Sequence, residues 1–183
     1  RVQAAPDERK VIGMTNLGVL TDGAMKAMAM LEDRGYEVIV FHAVGSGGRA
    51  MEQLMRERVI HGVFDYAMGE ISDELFGGFR AADAHRLTVA GGLGLPQVIC
   101  PGGAEHIGLF VEPNTIPDEW EGWMHVFHNP VVYVPRLSAE QMERIGAEIG
   151  SRLESTTGPA ALMIPTRGVS RYSIEGGPLH DPE

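Results

Sequence analysis

Tyr36-Glu37-Val38-Ile39-Val40-Phe41-His42, then Ala43-Val44-Gly45-Ser46-Gly47-Gly48, then Arg49-Ala50-Met51-Glu52-Gln53-Leu54-Met55-Arg56, is the stretch that decides the fold. Its first part is rich in Val and Ile, as a strand requires. Three glycines close together punctuate the strand's end, and a helix is predicted from about Arg49 to Arg58. A strand that runs through a glycine loop into a helix is the repeating unit of an α/β sheet.

The same unit recurs on both sides. Val11-Ile12-Gly13-Met14 is a short apolar strand. Thr21 or Asp22 can N-cap the helix after it, in which Ala24, Ala27, Met28 and Leu31 recur at helical spacing until Gly35. Gly62-Val63-Phe64-Asp65 is a third strand ending on a carboxylate. A helical or irregular region with Glu70, Asp73 and Gly77-Gly78 follows it. Gln97-Val98-Ile99-Cys100 runs straight into Pro101-Gly102-Gly103, and Ala160 to Ile164 is the last strand. Ser138-Ala139-Glu140-Gln141 is a capping box opening a helix whose apolar face is Met142, Ile145, Ile149 and Leu153. His106 to Pro130 shows no period and reads as a long functional loop. Val131-Val132-Tyr133-Val134, between Pro130 and Pro135, is expected to be an edge strand or an extended connection. These elements predict an α/β fold with a mainly parallel sheet of five or six strands and helices on both faces, Rossmann-like or flavodoxin-like. Residues 1–10 are expected to be a linker or disordered N-terminus, and 11–183 a single ligand-binding domain.

Charge narrows the partners. With 25 acidic against 15 basic side chains the chain repels nucleic acid, which is normally bound by clustered Lys and Arg. An anionic small molecule stays compatible, because backbone N–H groups and a few arginines act locally within a Debye length of roughly 10 Å. Cys100 is the one cysteine, so no internal disulfide is expected and a cytoplasmic setting follows. No apolar run approaches the roughly 20 residues needed to cross a bilayer, so no membrane partner is expected.

In parallel sheets ligands bind outside the carboxyl ends of the strands, and each glycine-rich loop here leaves such an end. Gly45, Ser46, Gly47, Gly48 and Arg49 suit a phosphate, through close backbone approach, the helix N-terminus and the guanidinium. A tight strand-to-helix turn explains the same glycines. Thr15, Asn16, Gly18 and Thr21 form a second polar loop able to donate to phosphate or ribose. Gly102 with Gly103, and Gly168 with Ser170 beside Arg167, form two more. The first loop also fits G-x-G-x-x-A with Asp65 twenty positions beyond Gly45, which keeps an NAD-binding oxidoreductase domain as an alternative. Glu70 and Asp73 invite Mg²⁺ binding or acid–base chemistry, and a solvated helix face is the competing account. His125 and His128, with His106 upstream, invite a metal reading. An enzyme acting on a small carboxylate or phosphate metabolite through Glu70, Asp73 or His128 is therefore a further alternative.

Taken in order, these segments resemble the Tm-one-like ATP-binding family. The resemblance rests on Ile12-Gly13-Met14-Thr15 with Gly18-Val19, Phe41-His42-Ala43 to Gly45, Gly47-Gly48-Arg49-Ala50-Met51-Glu52, and Asp65 with Glu70, Asp73 and Gly77-Gly78. It continues through Pro101-Gly102-Gly103, His128-Asn129-Pro130, Arg136, Gly168-Val169-Ser170 and Asp181-Pro182-Glu183. The chain departs from the family at Thr21-Asp22, at Glu105, where an aspartate is usual, and at Trp123, where an arginine is expected. The resemblance implies ATP or a related nucleotide as ligand, Mg²⁺ with it, and a homo-oligomer. It also implies that this is the second of two tandem α/β domains, preceded by an N-terminal one and cut short at its C-terminus.

Overall fold

The computed structural model describes residues 9–181. Most of the expected N-terminal linker and the last two residues of the Asp-Pro-Glu segment lie outside the described residues. The elements run β1 (Val11–Asn16), α1 (Thr21–Glu32), β2 (Glu37–His42), α2 (Ser46–Arg56), β3 (Gly62–Ala67), α3 (Gly69–Phe76) and α4 (Thr88–Gly92). They continue with β4 (Gln97–Gly102), β5 (Leu109–Phe110), β6 (His125–Asn129), β7 (Val132–Pro135), α5 (Ala139–Leu153) and β8 (Ala160–Leu162).

Five strands form one sheet in the order β2-β1-β3-β4-β8, and every neighbouring pair is parallel. This is the expected α/β architecture. The chain leaves β1 outward to β2 and then returns past β1 to β3, so the strand order reverses between β1 and β3. Right-handed crossovers then place α1 on one face and the later helices on the other. Met51 and Met55 of α2 and Ala90 of α4 pack on Ile60 and Val63. Ile145 and Ile149 of α5 join Ile71 of α3 and Ile99 of β4 in the largest core cluster. The capping box of α5 forms as read: Gln141 N donates to Ser138 Oγ at 3.3 Å and Ser138 N to Gln141 Oε1 at 2.9 Å. Helix α2 begins three residues earlier than the sequence suggests, at Ser46, because Gly45 at φ +83° turns the chain at once into the first helical turn.

The segment His106 to Pro130 is not wholly a loop, since it holds β5 and β6. β5 and β6 flank β7 in a second, antiparallel sheet of order β5-β7-β6, and Val131–Val134 supplies its central strand rather than an edge. Pro130 and Pro135 sit at the ends of the pairing, where a missing N–H costs least. Aromatic packing holds the small sheet: Tyr133 is fully buried, its hydroxyl donates to the Trp120 carbonyl at 3.2 Å, and Phe127 and Trp123 pack around it. Burying one such ring removes 150–250 Å² from water, roughly 4–6 kcal/mol at about 25 cal/mol per Å². Strands of two to five residues leave too few positions for a period of two to show in sequence.

Candidate functional site

Every glycine-rich loop singled out by sequence lies at a carboxyl end of the parallel sheet, but the loops do not form one cradle. β2 and β8 are the two edges, four strand spacings or about 19 Å apart. The β2 loop is turned inward. Gly45 N and Gly48 N both donate to Glu70 Oε1, at 2.6 and 3.1 Å, so two N–H groups at the start of α2 already hold an anion, the chain's own carboxylate. A Cβ on Gly48 would strike Glu70 and Arg86, and one on Gly47 would overlap the His42 carbonyl oxygen. These glycines are explained by internal packing. Ser46 and Arg49 stay exposed on the outer side of that turn.

Glu70 belongs to a buried ion network. Arg86, 1% exposed, spans Asp65 with two hydrogen bonds of 2.6 and 2.7 Å and reaches Glu70 Oε2 at 2.7 Å through Nε. Glu52 Oε1 lies 3.6 Å from the same guanidinium and accepts from Leu87 N at 2.8 Å. Burial pushes the Glu52 carboxyl above its ordinary value, and Arg86 offsets only part of that rise. Burial would lower the Arg86 guanidinium, yet Asp65 and Glu70 beside it hold it above its ordinary value. Thr15 completes the network: its hydroxyl donates to Asp65 Oδ1 at 2.7 Å and accepts from Ala67 N at 2.9 Å. Asp65 is thus engaged inside the protein, which removes the acidic ribose contact that a dinucleotide fingerprint needs.

A second buried pair takes the other candidate carboxylate. Asp73 accepts from Arg80 Nη2 at 2.7 Å, Nε at 2.9 Å and backbone N at 2.8 Å. Glu70 and Asp73 are both fully buried on α3. They are structural anions rather than a magnesium or acid–base pair on a helix face. His128 is exposed, with Nδ1 3.1 Å from the Tyr172 hydroxyl. His106 is buried, and among the described residues no group of three or more His, Cys, Asp or Glu is placed to hold a metal ion. Cys100 is buried, and burial pushes its thiol up to about 11.

The loops after β1, β4 and β8 do converge. Gly103 N donates to Val169 O at 2.9 Å and Arg171 N to Val19 O at 3.0 Å, so residues 168–171 cross over the ends of β4 and β1. Gly103 at φ +69° lets the backbone turn beneath Leu17 and His106. Asn16 Nδ2 donates to Thr21 Oγ1 at 3.3 Å, Thr21 Oγ1 donates to the Gly18 carbonyl at 3.0 Å, and Asn16 Oδ1 is buried without a partner among the described residues. At the centre the Ser170 hydroxyl donates to Glu105 Oε1. Burial would raise the Glu105 carboxyl, but the His106 ring, the Ser170 hydroxyl and its own N–H together bring it down to about 2. The His106 ring lies between Arg80 and Glu105, with Nε2 3.3 Å from Arg80 Nη1 and Nδ1 on the Glu105 side. That Nδ1 is 3.3 Å from Glu105 Oε1 but off hydrogen-bond alignment, and Glu105 Oε2 has no partner among the described residues.

Beside this cluster opens a cleft of about 1010 Å³ between the loops after β4 and β8, lined among others by Glu105, Arg136, Thr166, Arg167, Gly168 and His180. Arg136 is held by Asp181 at 3.2 Å and by the Leu179 carbonyl at 2.8 Å. Arg167 makes no ion pair or hydrogen bond among the described residues. Of the sequence candidates, the structure assembles Asn16, Gly18, Thr21, Gly102, Gly103, Gly168 and Ser170 near one another. It assigns Thr15, Gly45 and Gly48 to the interior network. Sequence reasoning missed Arg80 and Arg86, whose side-chain partners lie 7 to 34 positions away, and did not single out the Glu105–His106 pair. The only signal for the arginines was electrostatic: buried carboxylates demand cations, and the chain has few.

Comparison with known proteins agrees along nearly the whole chain. Residues 9–183 match the family described as "Uncharacterised protein family (UPF0261) C-terminal domain". A UPF0261 protein of Clostridium tetani is 41% identical over 169 residues, covering 92% of this chain and 42% of that protein. The UPF0261 protein mlr3387 of Mesorhizobium japonicum is 38% identical over 178 residues, covering 97% and 44%. The ToMV resistance protein Tm-1(GCR237) of Solanum lycopersicum is 33% identical over 172 residues, covering 94% and 23%. The chain spans less than half the length of these relatives.

Proposed function

The chain belongs to the UPF0261 family, as its C-terminal domain, and on that premise we propose that it binds a phosphate-bearing small molecule, an ATP-like nucleotide, at the cleft between the β4 and β8 loops. One observation carries the reading: a buried Glu105 whose Oε2 has no partner among the described residues lines the same cleft as Arg167, which has none there either, and Arg136, which Asp181 and the Leu179 carbonyl only partly engage. A carboxylate oxygen in that state calls for a hydroxyl or amine donor, since an unmet buried acceptor costs about 1–3 kcal/mol. The arginines, with Thr166 and the Gly168 backbone, call for an anion. A ribose phosphate offers both. The phosphate is drawn to residues 166–168 and not to the β2 loop, where Glu70 holds the Gly45 and Gly48 N–H groups. Ser170 keeps Glu105 oriented, and Asn16 Oδ1 offers a second acceptor at the same sheet edge.

Calorimetric titration with ATP, AMP, ribose 5-phosphate, inorganic phosphate and NADH, with and without Mg²⁺, tests this. The nucleotides should bind, inorganic phosphate should bind far more weakly, and Arg167→Ala should weaken nucleotide binding by about tenfold or more. Absence of binding at millimolar nucleotide, or binding indifferent to Arg167→Ala, defeats the proposal. An assay for released phosphate in the same samples separates turnover from silent binding. A cytoplasmic setting and self-association complete the proposal; sedimentation checks the second. Among the described residues no helix is long and apolar enough to cross a membrane.

A further inference from the structure

The two faces of the parallel sheet are covered unequally. α2 and α4 pack over the side from which Val63 projects, whereas on the other side α1 lies along one flank and, among the described residues, nothing covers the sheet beside it. Parallel sheets occur almost only with both faces covered. Side-chain alternation records the bare face: Val63, Asp65 and Ala67 are buried, while Phe64 and Tyr66 between them are only half-buried, as are Ile12 in β1 and Val98 in β4. With these strands as floor and α1 as one wall, an open trough of about 1230 Å³ runs along the molecule, and it shares no lining residue with the cleft at the carboxyl ends.

Its shape and charge identify an occupant. The α1 residues lining it are Gly23, Lys26, Ala27, Met30 and Leu31, a stripe at helix-packing spacing that Arg34 continues just past the helix end. A helix seated about 8–10 Å from α1 would fill the trough. Lys10, Lys26, Arg34 and Arg58 line it and, among the described residues, no carboxylate does, although the chain has 25 acidic residues to 15 basic. A second copy docked face to face would set these cations against themselves. We infer that the trough is a docking site for an amphipathic α-helix with an apolar face and acidic flanks, supplied by polypeptide outside residues 1–183. More than half the length of the UPF0261 relatives lies outside the matched stretch, so such polypeptide is at hand there.

A fluorescein-labelled peptide of about sixteen residues, with Leu at helical spacing and Glu on the flanks, is the probe, and its Glu-to-Lys counterpart the control. Anisotropy with the 183-residue chain should show saturable binding of the acidic peptide, weakened by salt, and about tenfold weaker or absent binding of the basic one. Lys26→Glu, at an exposed position on α1, should leave the melting temperature unchanged and cut acidic-peptide affinity about threefold or more. In an Ala27→Cys variant, the acidic peptide should shield the introduced thiol from a maleimide. Equal binding of both peptides, no binding of either, or binding indifferent to the charge reversal overturns the inference. So does a dimer that shields the introduced thiol without peptide, which makes a second copy the occupant, or binding of the chain to phosphatidylglycerol vesicles that the peptide cannot displace. Nucleotide titration reads out the other cleft, so the two proposals fail separately.

Discussion

Replacing Arg86 by leucine removes the one guanidinium that serves Asp65 and Glu70 at 2.6–2.7 Å and stands 3.6 Å from Glu52. Arg86 is 1% exposed and the three carboxylates no more than 3%, so water cannot replace it. Breaking a buried pair in this way costs about 3–5 kcal/mol, because the stranded charges keep their desolvation penalty. Against a total stability of about 5–15 kcal/mol, Arg86→Leu should move the urea midpoint down by about 2 M for a slope near 2 kcal/mol per M. The loss should depend on pH with a definite sign. Stranded carboxylates are relieved by taking up protons, so the folded variant binds more protons than the unfolded chain. Stability relative to wild type therefore recovers as pH falls from about 7 to about 5 and worsens as it rises. Arg86→Leu/Glu70→Gln should regain part of the loss at about pH 7. Urea titrations at both pH values are the assay. A deficit below about 1 kcal/mol, or one equal at both pH values, would refute the assignment of Arg86 as the counter-ion of this network.

Two further outcomes follow. Gly47→Ala should destabilise the fold by about 2 kcal/mol or more, since its methyl group meets the backbone carbonyl of His42 rather than a movable side chain; unchanged thermal stability with a lost ligand would restore the β2 loop as a phosphate cradle. Glu105, held at about 2 when folded against an ordinary 4.5, contributes stability above about pH 4.5 that is lost as the pH falls toward 2. Glu105→Gln should flatten that part of the acid-unfolding curve, and an unaltered curve would show that Glu105 is not the titrating group.

The sequence by itself determined the layer architecture. Val- and Ile-rich runs ending in glycine, the apolar faces of α1 and α5, and the box Ser138–Gln141 are local patterns set by backbone sterics and helical spacing, and the parallel sheet follows from them. It also placed the glycine-rich loops along one edge of the sheet, because in an alternating β/α chain the loops after strands share one side. It failed where partners are remote in the chain. Gly45, Gly47 and Gly48 are what either a phosphate loop or an internal turn requires, and only the fold shows Glu70, 22 to 25 residues on, holding the Gly45 and Gly48 N–H groups. The short strands β5 and β6 carry no readable period and exist because β7 and the buried Tyr133 pair with them. Which carboxylate is a buried structural anion and which stands in a cleft is decided by where Arg80, Arg86 and Arg167 come to rest. Electrostatic energy depends on distance in space, and spacing along the chain does not encode it.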